Sequence, residues 1–353
     1  MGTVISKQSQ RGNMRQSNME MLRIIAMSMI LIHHFMVHGL TPENMPHHLF
    51  NALNSFVFSG VNIFFILSGY FSIRYTSKGL LKLILTILFF GIVNLMLLVI
   101  VGESPDPSMW MTVIQFPVIR SPYWFMCVYL LLYVTAPIIN AGLKHIDRSV
   151  LRNTLIILTF ITFYTRTSYI LYSYLHGFLL YSIGYYVRRY KPMLHIKRRW
   201  LLLGAFLSAA LSSCLDWSLA EHGMALYGFQ TYGNALIFIC ALMLVLFFRD
   251  FRFHSASVNS VASASLGCYL LQDGNFGFEW LYDYQQRLLL EYGYSLRLFI
   301  IFTGFFIGFW VTSWLLTKFL GLWLPQFSGF LDRIIRSAIR PILFFLNRAD
   351  SPE

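Results

Sequence analysis

The sequence predicts an all-α, polytopic membrane protein with about ten transmembrane helices and both termini in the cytoplasm. Its 353 residues are 57% hydrophobic and only 12% charged, with a mean hydropathy of +0.60. Soluble globular chains carry about twice that share of charge. Apolar stretches long enough to cross about 30 Å of hydrocarbon recur along the chain. The positive charge lies between those stretches, as in membrane proteins that follow the positive-inside rule.

Ten apolar stretches are predicted as transmembrane helices. They are 19–39, 53–73, 80–102, 123–140, 151–167, 169–186, 200–218, 232–248, 258–273 and 298–320. The fourth, fifth, sixth and ninth are short or polar, so they need packing partners inside the membrane. The first stretch follows a basic tail but lacks a small-residue cleavage site, which predicts a retained helix rather than a signal peptide.

The distribution of charge tests this number of helices. If the amino terminus is cytoplasmic and the helices alternate, nearly all of the 27 Lys and Arg residues fall on the cytoplasmic side; the exceptions are Arg120, Arg166, Arg287 and Arg297. A wrong number of helices would invert the side of every later loop, so the asymmetry favours ten. The net charge of +12 is not gathered on one face, which argues against nucleic-acid binding.

The chain is predicted to have one membrane domain between two short cytoplasmic segments. These are a tail at 1–18, the membrane domain at 19–324 and an amphipathic tail at 325–353, whose residues 330–345 are expected to lie under the inner leaflet. The longest outer segment, 274–297, is rich in Tyr, Glu and Asp. It is predicted either to cover an acceptor or to be a solvated connector. The four cysteines lie singly in apolar segments, which predicts buried thiols and no metal site.

The first stretch carries ionisable residues at bilayer depth, where they are costly and usually functional. Arg23 and His34 are eleven residues apart, about three helical turns, so they share a face about 16 Å apart along the axis. His38 lies one turn beyond His34, whereas His33 points about 100° away. A lone helical histidine more often makes a structural hydrogen bond, but the register with Arg23 favours a functional role for His34.

Sequence motifs in four stretches resemble the acyltransferase-3 family of membrane-bound acyltransferases. The family pattern of Arg, ten residues, His and Phe is matched by Arg23, His34 and Phe35, and its Gly-Val-Asp-x-Phe-Phe-x-x-Ser-Gly-Tyr run is matched at 60–70 with Asn62 in place of the acid. The fourth stretch is similar at 123–125. The ninth is similar at 267–270, but Gln272 stands where relatives often carry histidine, so no catalytic role is assigned there.

The resemblance implies acyl transfer from acetyl-coenzyme A, with no permanently bound cofactor, to a hydroxyl of a cell-surface polysaccharide or lipid-linked sugar at a bacterial plasma membrane. His34 would be the general base, since an imidazole with a pKa near 6.5 accepts a proton at neutral pH. Arg23 would hold the donor's negative charge or polarise its carbonyl. The remaining expected site residues are Arg74, Lys78 and Ser68 for the donor, and Asn62, Tyr123, Trp124 and His38 for the acceptor.

Three alternatives remain open on the sequence alone. Intramembrane Arg and His residues also line ion or lipid pathways, so a transporter or flippase in glycan export is one. A catalytically silent scaffold in a glycan assembly complex is another, and a small-metabolite acceptor such as serine is the third. Coenzyme A release by the pure protein separates an enzyme from the first two.

Overall fold

The computed structural model describes residues 16–40, 47–115, 123–164, 169–192, 196–222, 232–251 and 253–349, which are almost entirely helical and contain no strand. The α-helices are α1 Ser17–His34, α2 His47–Val57, α3 Ser59–Phe71, α4 Ser77–Ile100, α5 Pro107–Gln115, α6 Trp124–His145, α7 Arg148–Tyr164, α8 Tyr169–Tyr190, α9 Arg198–Glu221, α10 Ala235–Arg249, α11 Ala256–Ala262, α12 Ser265–Gln272, α13 Tyr282–Tyr292 and α14 Leu296–Ala349. Two π-helical segments accompany them, π1 Phe35–Leu40 and π2 Gly277–Leu281.

The predicted all-α class is confirmed for the described residues, and each of the ten predicted stretches contains a helix. Within the part of the chain that the structure describes, six helices are long and apolar enough to cross a membrane: Ser17–Leu40, Phe50–Phe71, Ser77–Ile100, Trp124–His145, Arg198–Ser218 and Leu296–Ile335. The predicted eighth span is a shorter helix, α10, and the predicted ninth span is divided between α11 and α12. Ten crossings and the side of the membrane on which the termini lie stay predictions.

Helix α3 lies at the centre of the molecule, in contact with α1, α8 and α10. Glycines allow this close packing, as small residues do between membrane helices. A Cβ on Gly69 would overlap the backbone carbonyl of Tyr181, and one on Gly184 would overlap that of Ile66. A Cβ on Gly60 would lie 2.7 Å from the carbonyl oxygen of Ala26. Gly60, Gly69 and Gly184 therefore permit the close approach of these helices.

Helix α3 ends at Phe71, and residues of neighbouring helices form hydrogen bonds with the backbone groups that follow its end. Ser72 has a positive φ of 55°. The N–H of Ile73 donates to the hydroxyl of Tyr181 at 2.9 Å, and its carbonyl accepts from the side chain of Asn140 at 2.9 Å. Tyr181 in turn donates to the Oδ1 of Asn140 at 2.8 Å. A helix that ends inside the protein needs such partners, because unpaired backbone groups are energetically costly away from water.

Two regions differ from the sequence prediction. Segment 274–297 is not a solvated connector, because it forms π2 and α13, and both Leu288 and Leu289 are buried. Helix α13 instead packs on π1 at the end of the first helix.

The expected amphipathic helix at 330–345 is helical, but it continues α14 without a break. Since α14 has 54 residues, it is about 80 Å long.

Candidate active site

A cavity with a volume of about 780 Å³ opens among α1, α3, α4, α6, α12 and α14. Arg23 and His34 both line it, on the one face of α1 that their eleven-residue spacing gives. The described polar and aromatic residues of its wall also include Ser68, Lys82, Thr86, Trp124, Tyr129, Tyr232, Ser263, Ser265, Tyr269, Thr317 and Lys318. The cavity is therefore apolar in most places, with cations and hydroxyls along part of its wall.

His34 lies against a carboxylate at its end of the cavity. Its Nδ1 is 3.6 Å from the Oδ1 of Asp273, the residue that ends α12, and both side chains are nearly buried, with 9% and 5% of their surface exposed. The separation is slightly longer than a hydrogen bond, which is common for catalytic contacts before substrate binds. A carboxylate beside Nδ1 favours the tautomer with its proton on that nitrogen, which leaves Nε2 free to accept a proton.

Asp273 is the main site residue that sequence reasoning missed. The sequence analysis assigns no catalytic role to the ninth stretch, because Gln272 stands where relatives often carry histidine, and Asp273 is the next residue. The usable signal was an acid that directly follows an apolar run, since a carboxylate at the end of a buried helix needs a partner.

Arg23 also has a partner that the sequence prediction lacked. Its Nη1 bonds the Oε2 of Glu20, three residues earlier on α1, at 2.6 Å. The Glu20 side chain is buried, whereas 28% of the Arg23 side chain remains exposed. The guanidinium also lies over the ring of Phe71, 5.9 Å from its centre. Glu20 thus fixes one side of the guanidinium and leaves the rest of it available to the cavity.

The other histidines of the first stretch take separate positions. His33 turns away from the cavity and bonds the side chain of Asn54 at 2.6 Å, so the predicted 100° divergence is confirmed. His38 lies in π1, with its ring 5.7 Å from that of His34 and 5.0 Å from that of Tyr282. It is absent from the described cavity lining, on the far side of His34 from Arg23.

The residues expected to bind the acceptor are divided between the cavity and the core. Trp124 lines the cavity, with its ring 5.1 Å from that of Tyr232. Asn62 is buried behind the wall, where it donates to the carbonyl of Tyr232 at 3.0 Å and lies 3.0 Å from the Nε2 of His176. Tyr123 is also buried, and its hydroxyl donates to the carbonyl of Leu270 at 2.8 Å. The structure therefore places Asn62 and Tyr123 where they hold helices together.

The residues expected to bind the donor are divided as well. Ser68 lines the cavity and donates its hydroxyl to the carbonyl of Phe64 at 2.8 Å. Arg74 and Lys78 are exposed and lie outside the described lining; Lys78 instead approaches Gly329 of α14. The lysines that do line the cavity are Lys82 on α4 and Lys318 on α14.

A cavity that holds an oriented imidazole and several cations suits transfer of a group from an anionic donor to a hydroxyl. Residues 16–318, most of the chain, match the family described as an acyltransferase domain, acyltransferase-3. The chain belongs to the acyltransferase-3 family. No curated protein and no solved structure matches it. Membership identifies a membrane acyltransferase, and the matched acyltransferase-3 region contains Arg23, His34 and Asp273 as well as Lys82 and Lys318.

Proposed function

We propose that this acyltransferase-3 protein transfers an acetyl group from acetyl-coenzyme A to a hydroxyl of a cell-surface polysaccharide or lipid-linked sugar. The observation that carries the proposal is the His34 imidazole, backed by Asp273, at one end of a cavity that also contains Arg23. This is the arrangement that a general base needs, because the carboxylate orients the ring and stabilises the imidazolium that forms.

The proposed reaction is a direct acyl transfer. The Nε2 of His34 takes the proton of the acceptor hydroxyl as its oxygen attacks the thioester carbonyl carbon. The tetrahedral intermediate then collapses, the carbon–sulfur bond breaks, and the departing thiolate receives the proton from His34. Asp273 holds the Nδ1 proton throughout and stabilises the positive ring electrostatically. An acyl-histidine intermediate would occupy the Nε2 that serves as the base, so the acceptor hydroxyl would need another base when it attacks the acyl carbon; this geometry does not require that route.

Arg23 is assigned to the donor rather than to the reacting carbonyl. About three helical turns, roughly 16 Å, separate it from His34 along α1. That distance is too long for both residues to contact one carbonyl group, but it suits a long donor whose thioester lies at His34 and whose phosphates lie near Arg23. Lys82 and Lys318 line the same cavity and add two more cations for those phosphates.

Coenzyme A release tests the reaction. The purified protein in detergent is given acetyl-coenzyme A and the surface glycan of cells that lack the protein, and the free thiol is measured together with the acetyl ester formed on the glycan. We expect His34→Gln to abolish both signals, whereas the exposed His222, changed to Gln, serves as the matched control and retains them. Full transfer by His34→Gln would overturn the proposed base. A transporter would release no coenzyme A at all.

A truncated donor tests the cation assignment. Acetyl-pantetheine carries the thioester without the nucleotide phosphates of coenzyme A. We expect Lys82→Gln and Lys318→Gln to raise KM for acetyl-coenzyme A about tenfold each, with KM for acetyl-pantetheine unchanged, because only the first donor presents phosphates. The exposed Lys144, changed to Gln, is the control. Equal effects on the two donors would show that the lysines act on something other than phosphate.

A further inference from the structure

Most of the buried polar side-chain atoms without a hydrogen-bond partner, among the described residues, lie around His34. They are the Nδ1 of His34, the hydroxyl of Tyr269, both amide atoms of Gln272, the Oδ2 of Asp273 and both amide atoms of Gln285. We call these five residues the polar patch. Native proteins leave few such atoms unpaired, and each one normally marks a function or a bound molecule.

Three helical segments bring the polar patch together at the end of the first helix. The hydroxyl of Tyr282 donates to the carbonyl of Gln272 at 3.0 Å, which fixes α13 against α12. Gln285 follows Tyr282 by three residues, so it lies on the same face of α13. Its Oε1 occupies the space that a Cβ on Gly39 would need. Gln272 and Gln285 therefore flank the end of α1 that carries His34.

Both π-helical segments of the described chain border this patch. Gly39 in π1 accommodates the side chain of Gln285, and Gly277 in π2 accommodates the carbonyl of Gln272, because a Cβ at either glycine would overlap these groups. Segments of π-helix are rare and occur frequently at functional sites. Both π-helical segments border the polar patch, which indicates that their local geometry helps to position the two glutamines.

The two glutamines are unfavourable in a dry core. Both are completely buried, and neither amide makes a hydrogen bond of ordinary length to the described residues, although Gln272 lies close enough to the ring of His34 to interact with it. The adjacent Gln286 differs, since its Nε2 donates to the carbonyl of His38 at 2.8 Å. Each primary amide offers two donors and an acceptor, which match neighbouring hydroxyls that both donate and accept.

We propose that Gln272 and Gln285 bind hydroxyl groups of the acceptor that neighbour the hydroxyl attacked at His34. The inference rests on the proposed acyl transfer and names the acceptor class as a polyhydroxylated molecule, such as a sugar ring. Neither glutamine is among the described residues that line the cavity, so the acceptor would have to reach them past His34 and Tyr269, which do line it. Gln272 lies three residues beyond Tyr269 on α12, and so on its face of the helix.

Methionine variants of the full-length protein test this assignment. Methionine keeps the unbranched shape of glutamine and removes its hydrogen-bonding groups. We expect Gln272→Met and Gln285→Met each to raise KM for the glycan acceptor about tenfold, equivalent to about 1.4 kcal/mol. We expect KM for acetyl-coenzyme A to stay unchanged and Tm in detergent to stay equal or rise, because an unpaired buried amide is removed. Ser55→Ala, which removes another unpaired buried hydroxyl, is the control and leaves acceptor KM unchanged.

A second measurement compares simple acceptors at equal concentration. The wild-type protein should acetylate glycerol faster than 1-propanol, and both glutamine variants should lose that preference while His34→Gln loses both activities. An unchanged acceptor KM, or a fall of several degrees in Tm for both variants, would overturn the inference and identify the glutamines as structural. If the wild-type protein releases no coenzyme A with any acceptor, the proposed function fails first, and this inference fails with it.

Discussion

Replacement of Asp273 by Asn is the sharpest test of the site, because it removes one charge and almost no volume. The carboxylate lies 3.6 Å from the Nδ1 of His34, and both groups are nearly buried. At an effective dielectric constant of about 20, opposite unit charges at that distance attract by about 4.6 kcal/mol. In the proposed mechanism His34 carries a positive charge only near the transition state, and the surroundings of the variant relax around a neutral amide. We therefore expect about half of that energy, about 2.3 kcal/mol, to be lost, which corresponds to about 50-fold in kcat.

The assay is thiol release from acetyl-coenzyme A under saturating donor and acceptor, with Tm measured on the same preparations. Asp250→Asn is the matched control, because Asp250 is an exposed acid paired with Arg249. We expect the control to keep full activity and Asp273→Asn to keep its Tm within about 3 °C. If Asp273→Asn retained more than half of the wild-type kcat, the carboxylate would have no part in orienting or stabilising His34.

Three further outcomes follow from the packing. Gly69→Ala should lower stability by about 1–3 kcal/mol, because its Cβ meets the carbonyl of Tyr181. Gly142→Ala is the control and should leave stability unchanged, because Gly142 has open space around it. Thermal unfolding in detergent distinguishes the two variants. Tyr181→Phe should cost about 1–3 kcal/mol in the same assay, since it leaves Asn140 and the N–H of Ile73 without their shared hydroxyl, and an unchanged Tm would contradict this. Arg23→Gln should lower stability by about 1–2 kcal/mol, because it leaves the buried carboxylate of Glu20 unpaired. Adding Glu20→Gln should restore Tm but not the KM for acetyl-coenzyme A. Recovery of that KM in the double variant would show that Arg23 has only a structural role.

Helical periodicity explains what the sequence could predict. The eleven-residue spacing of Arg23 and His34 places both on one face of the helix, whatever the tertiary structure. The same rotation per residue places His33 on a different face, where it bonds Asn54. Small residues in an apolar helix predict close approach for a similar reason, and Gly69 shows it against α8. These inferences need only one helix at a time.

Contacts between distant segments explain what the sequence could not predict. Asp273 reaches His34 only because α12 packs on α1, and Gln285 reaches Gly39 in π1 only because segment 274–297 folds back as a helix. Neither pairing has a periodic signal. Lys78 and Lys82 lie one turn apart on α4, yet only Lys82 lines the cavity, whereas Lys78 approaches Gly329 of α14. That difference depends on tertiary packing and has no signal in the sequence.

The glycine contacts between α3 and α8 have a consequence for how the protein completes a cycle of turnover. Backbone lies directly on backbone there, which leaves little room for these two helices to slide past each other. A bulky donor must nevertheless enter and its product must leave. The opposite wall, where α4 meets α14 through the rings of Phe89, Phe319 and Trp323, is held by side chains that can change rotamer. The proposed donor would therefore exchange most easily where α4 meets α14, and substitutions there should change its rate of release without changing the chemical step.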